Sequence, residues 1–163
     1  MCILSDRDIR ERMERAELGI EPFTPTNVTP NGVDLTVKEI LLRGSGAKVT
    51  EGVARIPPGA GFLLSTREFV RMPEDVAGQL WIRSSYARRG LLASFGKVEC
   101  GFQGELTIGG LNAGPDVVEM PIGDRFCQLA FEKMESRPER SYVERSGNYQ
   151  GQRGITFAKT TPT

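Results

Sequence analysis

The stretch KVECGFQGELTIGGLN, residues 97–112, reads as a strand, a glycine-rich turn at Cys100-Gly101-Phe102-Gln103-Gly104, and a second strand broken by Gly109-Gly110. The same texture, a short apolar alternation bounded by turn residues, recurs along the chain. VDLTV (33–37) places Val33, Leu35 and Val37 on one face, and GFLLST (61–66), GQLWIRS (78–84) and RFCQLAF (125–131) are similar runs. Successive side chains of a strand point to opposite faces, so many such runs between Gly, Pro and Asn predict an all-β barrel, sandwich or jelly roll. The N-terminus differs. In LSDRDIRERMERAE (4–17), Ser5 and Asp8 form a capping pair, and Ile9, Met13 and Ala16 recur at helical spacing. This predicts one short amphipathic helix from about Asp6 to Glu17, packed as an accessory. EPFTPTNVTPNG (21–32) carries three prolines and no helical period, and reads as an irregular connection. The final GNYQGQRGITFAKTTPT, from residue 147, is rich in Gly, Gln and Thr and is expected to be mobile.

With 163 residues and no internal linker, one domain spanning 1–163 is expected, burying roughly two-thirds of its unfolded surface. The 21 basic and 21 acidic side chains cancel, so no net positive field is available for nucleic acid or an anionic membrane. Three cysteines without metal-like spacing predict a reduced, cytoplasmic chain. Histidine is absent, which excludes Ser-His-Asp and Cys-His systems and the His/Cys zinc site of base deaminases. No apolar run approaches the roughly 18 residues needed to span a bilayer.

Four groups of residues carry candidate chemistry. In WIRSSYARRG (81–90), Arg83, Ser84, Ser85 and Arg88 crowd a strand end, where guanidinium forks and hydroxyls suit phosphate oxygens; a solvated turn reads equally from these residues. In GNYQGQRG (147–154), Tyr149 fits stacking and Arg153 fits an anion, against a frayed polar tail. In IGDRFCQL (122–129), Gln128 points opposite Cys127, against a plain hairpin. In the opening stretch Glu99 precedes the turn and Glu105 follows it. The two acids read as a catalytic pair, as one catalytic group with a structural neighbour, or as a solvated loop.

Taken in order, PNGVDL (30–35), RSSYAR (83–88), GKVECGFQGEL (96–106), GDRFCQL (123–129) and GNYQGQRG (147–154) resemble the successive motifs of the dUTPase and dCTP deaminase superfamily. LSDRDI (4–9) and FLLSTREFVRMP (62–73) resemble its dCTP deaminase branch, which includes archaeal dUTPase-like and bifunctional members. The resemblance implies a mostly β, distorted jelly roll and a homotrimer. Active sites are then shared between subunits, the tail closes over the nucleotide, and Mg²⁺ rides on the triphosphate. It assigns Arg83, Ser84, Ser85, Arg88 and Gln128 to the phosphates, and Tyr142, Tyr149, Gln152 and Arg153 to the cover over the triphosphate. Asp34 takes an organising role near the phosphate site, and Phe102 lies against the deoxyribose.

The third motif separates the activities. Glu99 stands where dUTPases of this superfamily hold the attacking water with an Asp. The deaminases place a proton-moving Glu three residues before the Asn, and counting back from Asn112 that position is Gly109. Glu105 lies four residues earlier, roughly 13 Å along a strand, and resembles a structural Glu. Glycine moves no protons, so the expectation from sequence is hydrolysis of dUTP to dUMP and pyrophosphate, with Glu99 as the acting carboxylate. The alternatives are a dCTP deaminase or bifunctional enzyme using an unexpected proton shuttle, and a deoxynucleotide-binding regulator without turnover.

Overall fold

A computed structural model describes residues 2–159. The first third holds β1 (Cys2–Ile3), α1 (Asp6–Glu14), β2 (Gly19–Glu21), β3 (Val28–Thr29), β4 (Gly32–Leu42) and β5 (Lys48–Val49). Next come β6 (Val53–Ile56), β7 (Gly61–Arg71), β8 (Val76–Ile82), α2 (Ser84–Ala87), β9 (Leu91–Ser94) and β10 (Lys97–Val98). The last are β11 (Gln103–Asn112), β12 (Val118–Pro121), β13 (Arg125–Lys133) and α3 (Tyr142–Arg145). The main sheet runs β10-β8-β13-β4-β7-β11-β9, with β12 and β6 paired apart from it. It curls on itself as a distorted jelly roll, the all-β form that the resemblance implies. Among the described residues no helix is long and apolar enough to cross a membrane.

Each predicted strand is present, but β4, β7 and β13 are longer than their alternating cores. Their burial is also two-sided. Leu35, Val37, Ile40, Phe62, Leu64, Phe126 and Leu129 pack the apolar interior, and all are at most 2% exposed. The central strands also carry buried polar residues, among them Asp34, Thr36, Glu39, Thr66, Glu68 and Glu105. Buried polar groups need partners, and neighbouring strands supply them. The carboxylate of Glu68 accepts from Thr36 N–H (2.8 Å) and Thr36 Oγ1 (2.7 Å), and Thr66 Oγ1 accepts from Leu106 N–H (2.9 Å). Burial holds Glu68 above the ordinary carboxylate pKa, with the Thr36 bonds pulling the other way. Gly32, in PNGVDL, serves close approach: a Cβ there would sit 2.6 Å from the Leu129 carbonyl oxygen, which no side chain tolerates.

The N-terminal helix is shorter than the spacing predicts. Its start is as expected, a capping box in which Ser5 N–H donates to Asp8 Oδ2 (2.9 Å) and Asp8 N–H to Ser5 Oγ (3.3 Å). It stops at Glu14 because Ala16 turns left-handed (φ 56°), and Ile9 is the one residue of the helix that is fully buried. Arg12 ties the helix to the body with two bonds to Asp75, at 3.1 and 2.8 Å. The Arg12 bond holds the Asp75 pKa below its ordinary value. A depressed carboxylate contributes stability above its unfolded pKa and loses it as pH falls through the folded one. Arg12→Met is therefore expected to cost about 1 kcal/mol at pH 7, a partly buried bidentate pair being at the upper end for ion pairs. Denaturant midpoints at falling pH should show the gap to the parent protein closing below about pH 4, the unfolded value of Asp.

Candidate active site

The arginine and serine cluster forms where β8 ends. Arg83 N–H still donates to Phe126 O (3.0 Å), after which the chain turns into α2. Tyr86 fixes that turn: its ring is buried against Phe126 and its hydroxyl donates to Asp124 Oδ2 at 2.6 Å. Burial, then the bond to Asp124, pushes the Tyr86 pKa upward. Ser84, Ser85 and Arg88 consequently stand exposed on a rigid support. Asp34 is buried between Arg83 Nε (3.4 Å) and Arg125 (3.5 Å). Burial raises the Asp34 pKa, against the pull of Arg83 and Arg125. Gln128 lies directly opposite both Asp34 and Trp81 in the ladder, so the three side chains share the outer face. Gln128 donates to Thr29 Oγ1 at 2.7 Å. Trp81, at the head of WIRSSYARRG, stands 60% exposed beside this cluster, a placement that no local pattern in the sequence signals.

Glu99 belongs to a different place. β10 pairs with β8 so that Lys97 faces Gln79 and Val98 faces Gly78, which carries Glu99 to the level of Ala77. The turn closes with Phe102 N–H on Glu99 O (3.1 Å), and Gly101 takes the left-handed conformation (φ 77°) that such a turn demands. Beside it lies a cavity of about 420 Å³ lined by Leu80, Ser94, Glu99, Phe102, Leu106, Thr107, Tyr142, Tyr149 and Gln152, among others. Glu99 is the one carboxylate among its lining residues. Glu99, Lys97 and Tyr142 also border a larger cleft of about 1090 Å³. Phe102 is 5% exposed, edge-on to Tyr142 with ring centroids 5.6 Å apart. Tyr142 Oη accepts from Tyr149 N–H (3.1 Å), so the tail and the aromatic pair share one wall.

The structure thus gathers Glu99, Phe102, Tyr142, Tyr149 and Gln152, and separately Asp34, Arg83, Ser84, Ser85, Arg88 and Gln128. Leu80 of β8 lines the cavity, whereas Trp81 and Arg83 lie on the opposite face of the same strand. From the level of Ala77 to Arg83 is six residues, about 20 Å of strand. One chain does not unite the two groups. Arg153 joins neither: its guanidinium lies over the Phe69 ring (4.2 Å) and 3.5 Å from Glu105. Glu105 is 2% exposed and held by Lys38 Nζ at 2.8 Å on both oxygens, a structural placement, as the resemblance implied. At Gly109 a Cβ would meet only Leu63 Cδ2 at 3.6 Å, so packing does not impose glycine there. At Gly110 it does, because a Cβ would fall 2.2 Å from the Phe62 ring.

Known proteins place this architecture. The dCTP deaminase-like family matches residues 3–55 and 45–134. A protein of Pyrococcus horikoshii named dCTP deaminase is 42% identical over 147 residues, covering 89% of this chain and 92% of that one. A protein of Aquifex aeolicus named dCTP deaminase, dUMP-forming, is 36% identical over 168 residues, covering 94% and 92%. Among solved structures, the 2′-deoxycytidine 5′-triphosphate deaminase of Agrobacterium tumefaciens superposes with a TM-score of 0.67 at 20% identity, over 80% of this chain and 48% of that one. The EIAV dUTPase superposes with a TM-score of 0.51 at 20% identity, over 79% and 98%, a likeness of fold. The expectation of dUTP hydrolysis is overturned by the relatives, which at 36–43% identity carry the name dCTP deaminase. That expectation hung on one missing carboxylate at Gly109, whereas the similarity extends over nearly the whole chain. On fold, motif order and extent of match together, the chain belongs to the dCTP deaminase-like family.

Proposed function

We propose that the protein is a dCTP deaminase in which Glu99 moves the protons. The observation that carries this reading is the cavity at the hairpin, with Glu99 as the one carboxylate among its lining residues beside aromatic and hydroxyl groups. Names of relatives at 36–43% identity support cytosine as the base. The chemistry needs water at C4 of the cytosine ring and loss of ammonia. Glu99 takes a proton from the attacking water and returns it to the ring nitrogen as the oxygen bonds C4. It then carries the proton of the new C4 hydroxyl to the amine as the C–N bond breaks, so that water and dCTP become dUTP and ammonia. With no histidine in the chain, a carboxylate is the available base at neutral pH. Mg²⁺ arrives with the triphosphate as part of the substrate.

Sites shared between copies of a homotrimer belong to the same proposal. Its support is the separation of the arginine and serine cluster from the Glu99 cavity within one chain, since a triphosphate needs cations near the bound base.

One observation favours a second reading. Gly109 leaves the deaminase position without an acid although the space beside it is open. On that reading the protein binds deoxycytidine nucleotide without converting it, and Gly109→Glu would create turnover where the unaltered chain has none.

The deciding experiment incubates the purified chain with dCTP and Mg²⁺, resolving nucleotides by ion-exchange chromatography and assaying ammonia. Ammonia released in step with dCTP loss is the expected result, with dUTP or dUMP as the nucleotide product. Intact dCTP at concentrations that saturate binding by calorimetry would establish the second reading instead.

A further inference from the structure

The C-terminal segment has a built seat on its own chain. β9 covers the edge of β11 only from Gly109 to Asn112, leaving the first half of β11 bare on that side. The tail fills it: Gly151 N–H donates to Gln103 O (2.7 Å), Glu105 N–H to Gln152 O (3.0 Å), and Gln152 Nε2 to Glu105 O (2.6 Å). Two carboxylates then take hold. Glu105 Oε2 accepts from Gly154 N–H at 2.6 Å, and Glu39 Oε1 accepts from Ile155 N–H at 2.8 Å. Thr107 Oγ1 continues the seat, accepting from Thr156 N–H at 3.0 Å. Gly154 is left-handed (φ 66°), and a Cβ there would press to 2.9 Å from Glu39 Oε1, so the seat and the glycine fit each other.

A buried carboxylate is costly unless its oxygens are well bonded. Glu105 has one partner from the body of the protein, Lys38, and two from the tail, Arg153 and the Gly154 N–H. Glu39 divides its oxygens in the same way, between Lys48 (2.8 Å) and the Ile155 N–H. Burial opposes ionisation of Glu39, but Lys48 and then Ile155 outweigh it and lower its pKa. With the tail away, each acid keeps only its lysine and loses its backbone N–H donor. The docked segment presents Tyr149, Gln152 and Thr156 to the Glu99 cavity.

We propose that Glu105 and Glu39 are positioning residues that seat the C-terminal segment as the outer wall of the nucleotide pocket. Neither touches the reacting atoms; each acts through the tail backbone. The seat stands on geometry alone, and only its effect on substrate rests on the function proposed above.

Amide hydrogen exchange of the full chain without nucleotide tests the seat. In Glu105→Gln, exchange at Gly154 and Ile155 should accelerate at least tenfold while amides of β13 hold their parent rates. Unchanged exchange at those two residues overturns the proposal. Should Glu105→Gln loosen the whole chain, Arg153→Ala decides, because that side chain is exposed and lies on the tail. It must speed exchange over 151–156 alone, and its failure to do so also overturns the seat. Calorimetry with dCTP then reads the pocket wall: binding should weaken at least fivefold in the variant whose tail is released. Binding within twofold of the parent would refute the wall while leaving catalysis by Glu99 untouched.

Discussion

Glu99→Gln is expected to lower dCTP turnover about a thousandfold while leaving the dissociation constant for dCTP within threefold. The amide has the shape of the acid and keeps a hydrogen-bonding oxygen, but it cannot accept and return a proton. General acid and base catalysis by a positioned group contributes about 10² to 10⁴ in rate. A thousandfold loss corresponds to about 4 kcal/mol of the barrier. Glu99 is placed for this by the hairpin turn, whose Phe102 N–H closes on the Glu99 carbonyl, and by the pairing of β10 with β8. Single-turnover kinetics with calorimetry separate rate from binding. An undiminished rate would remove Glu99 from the mechanism. The same variant tests shared sites: mixed and reassembled with Arg83→Ala, two chains inactive alone should recover part of the activity. Each then supplies what the other lacks across a subunit boundary. No recovery, from chains shown to exchange, would place all catalytic groups in one copy.

Phe126→Ala is the change expected to cost the most stability, about 4 kcal/mol, as for other fully buried phenylalanines cut to alanine. Phe126 is wholly buried in β13 and joins Phe62 (ring centroids 6.2 Å apart, edge-on), Tyr86 (5.5 Å) and Phe95 (6.4 Å). Its removal opens a cavity bounded by three other rings, which are too stiff to collapse into it. For a chain of this length, each kcal/mol moves the melting temperature by about 2–4 °C, so a fall of about 10 °C is expected. The denaturant slope should stay constant while the midpoint falls. The loss also reaches function, because Tyr86 leans on Phe126 while its hydroxyl bonds Asp124, and together these hold the helix bearing Ser84 and Ser85. Nucleotide binding below the melting temperature should weaken with the fold still intact. A cost under 1 kcal/mol would mean that this cluster is not the centre of the core.

The strands were legible because each carries its own signal, an apolar alternation ended by glycine, proline or asparagine. VDLTV and RFCQLAF lie inside β4 and β13 for that reason. The capping pair at Ser5 was equally local. The end of α1 was not: Ala16 continues the helical spacing, yet its backbone turns left-handed to send the chain toward β2. Local pattern says least about the acids in the strands. Glu39, Glu68 and Glu105 are charged residues in strands, and all are buried. Their partners are Lys48 and Ile155 for the first, Thr36 for the second, and Lys38 and Gly154 for the third. Several of these lie dozens of residues away, beyond any local pattern.

The activity divides in the same way. A missing acid at Gly109 is a local fact, and it argued for the wrong reaction because it says nothing about which carboxylate stands in the pocket. By itself the sequence determined the strand positions, the capped start of the helix and the order of the motifs, since backbone sterics and side-chain alternation act over a few residues. Only the tertiary structure decided that Glu99 shares a cavity with Tyr142 and Tyr149, that the arginine and serine cluster lies on the other face of β8, and that Glu105 and Glu39 receive the tail. Those are contacts between segments far apart in the chain. They exist only once the sheet has curled, and the curl is set by how all the strands pack together.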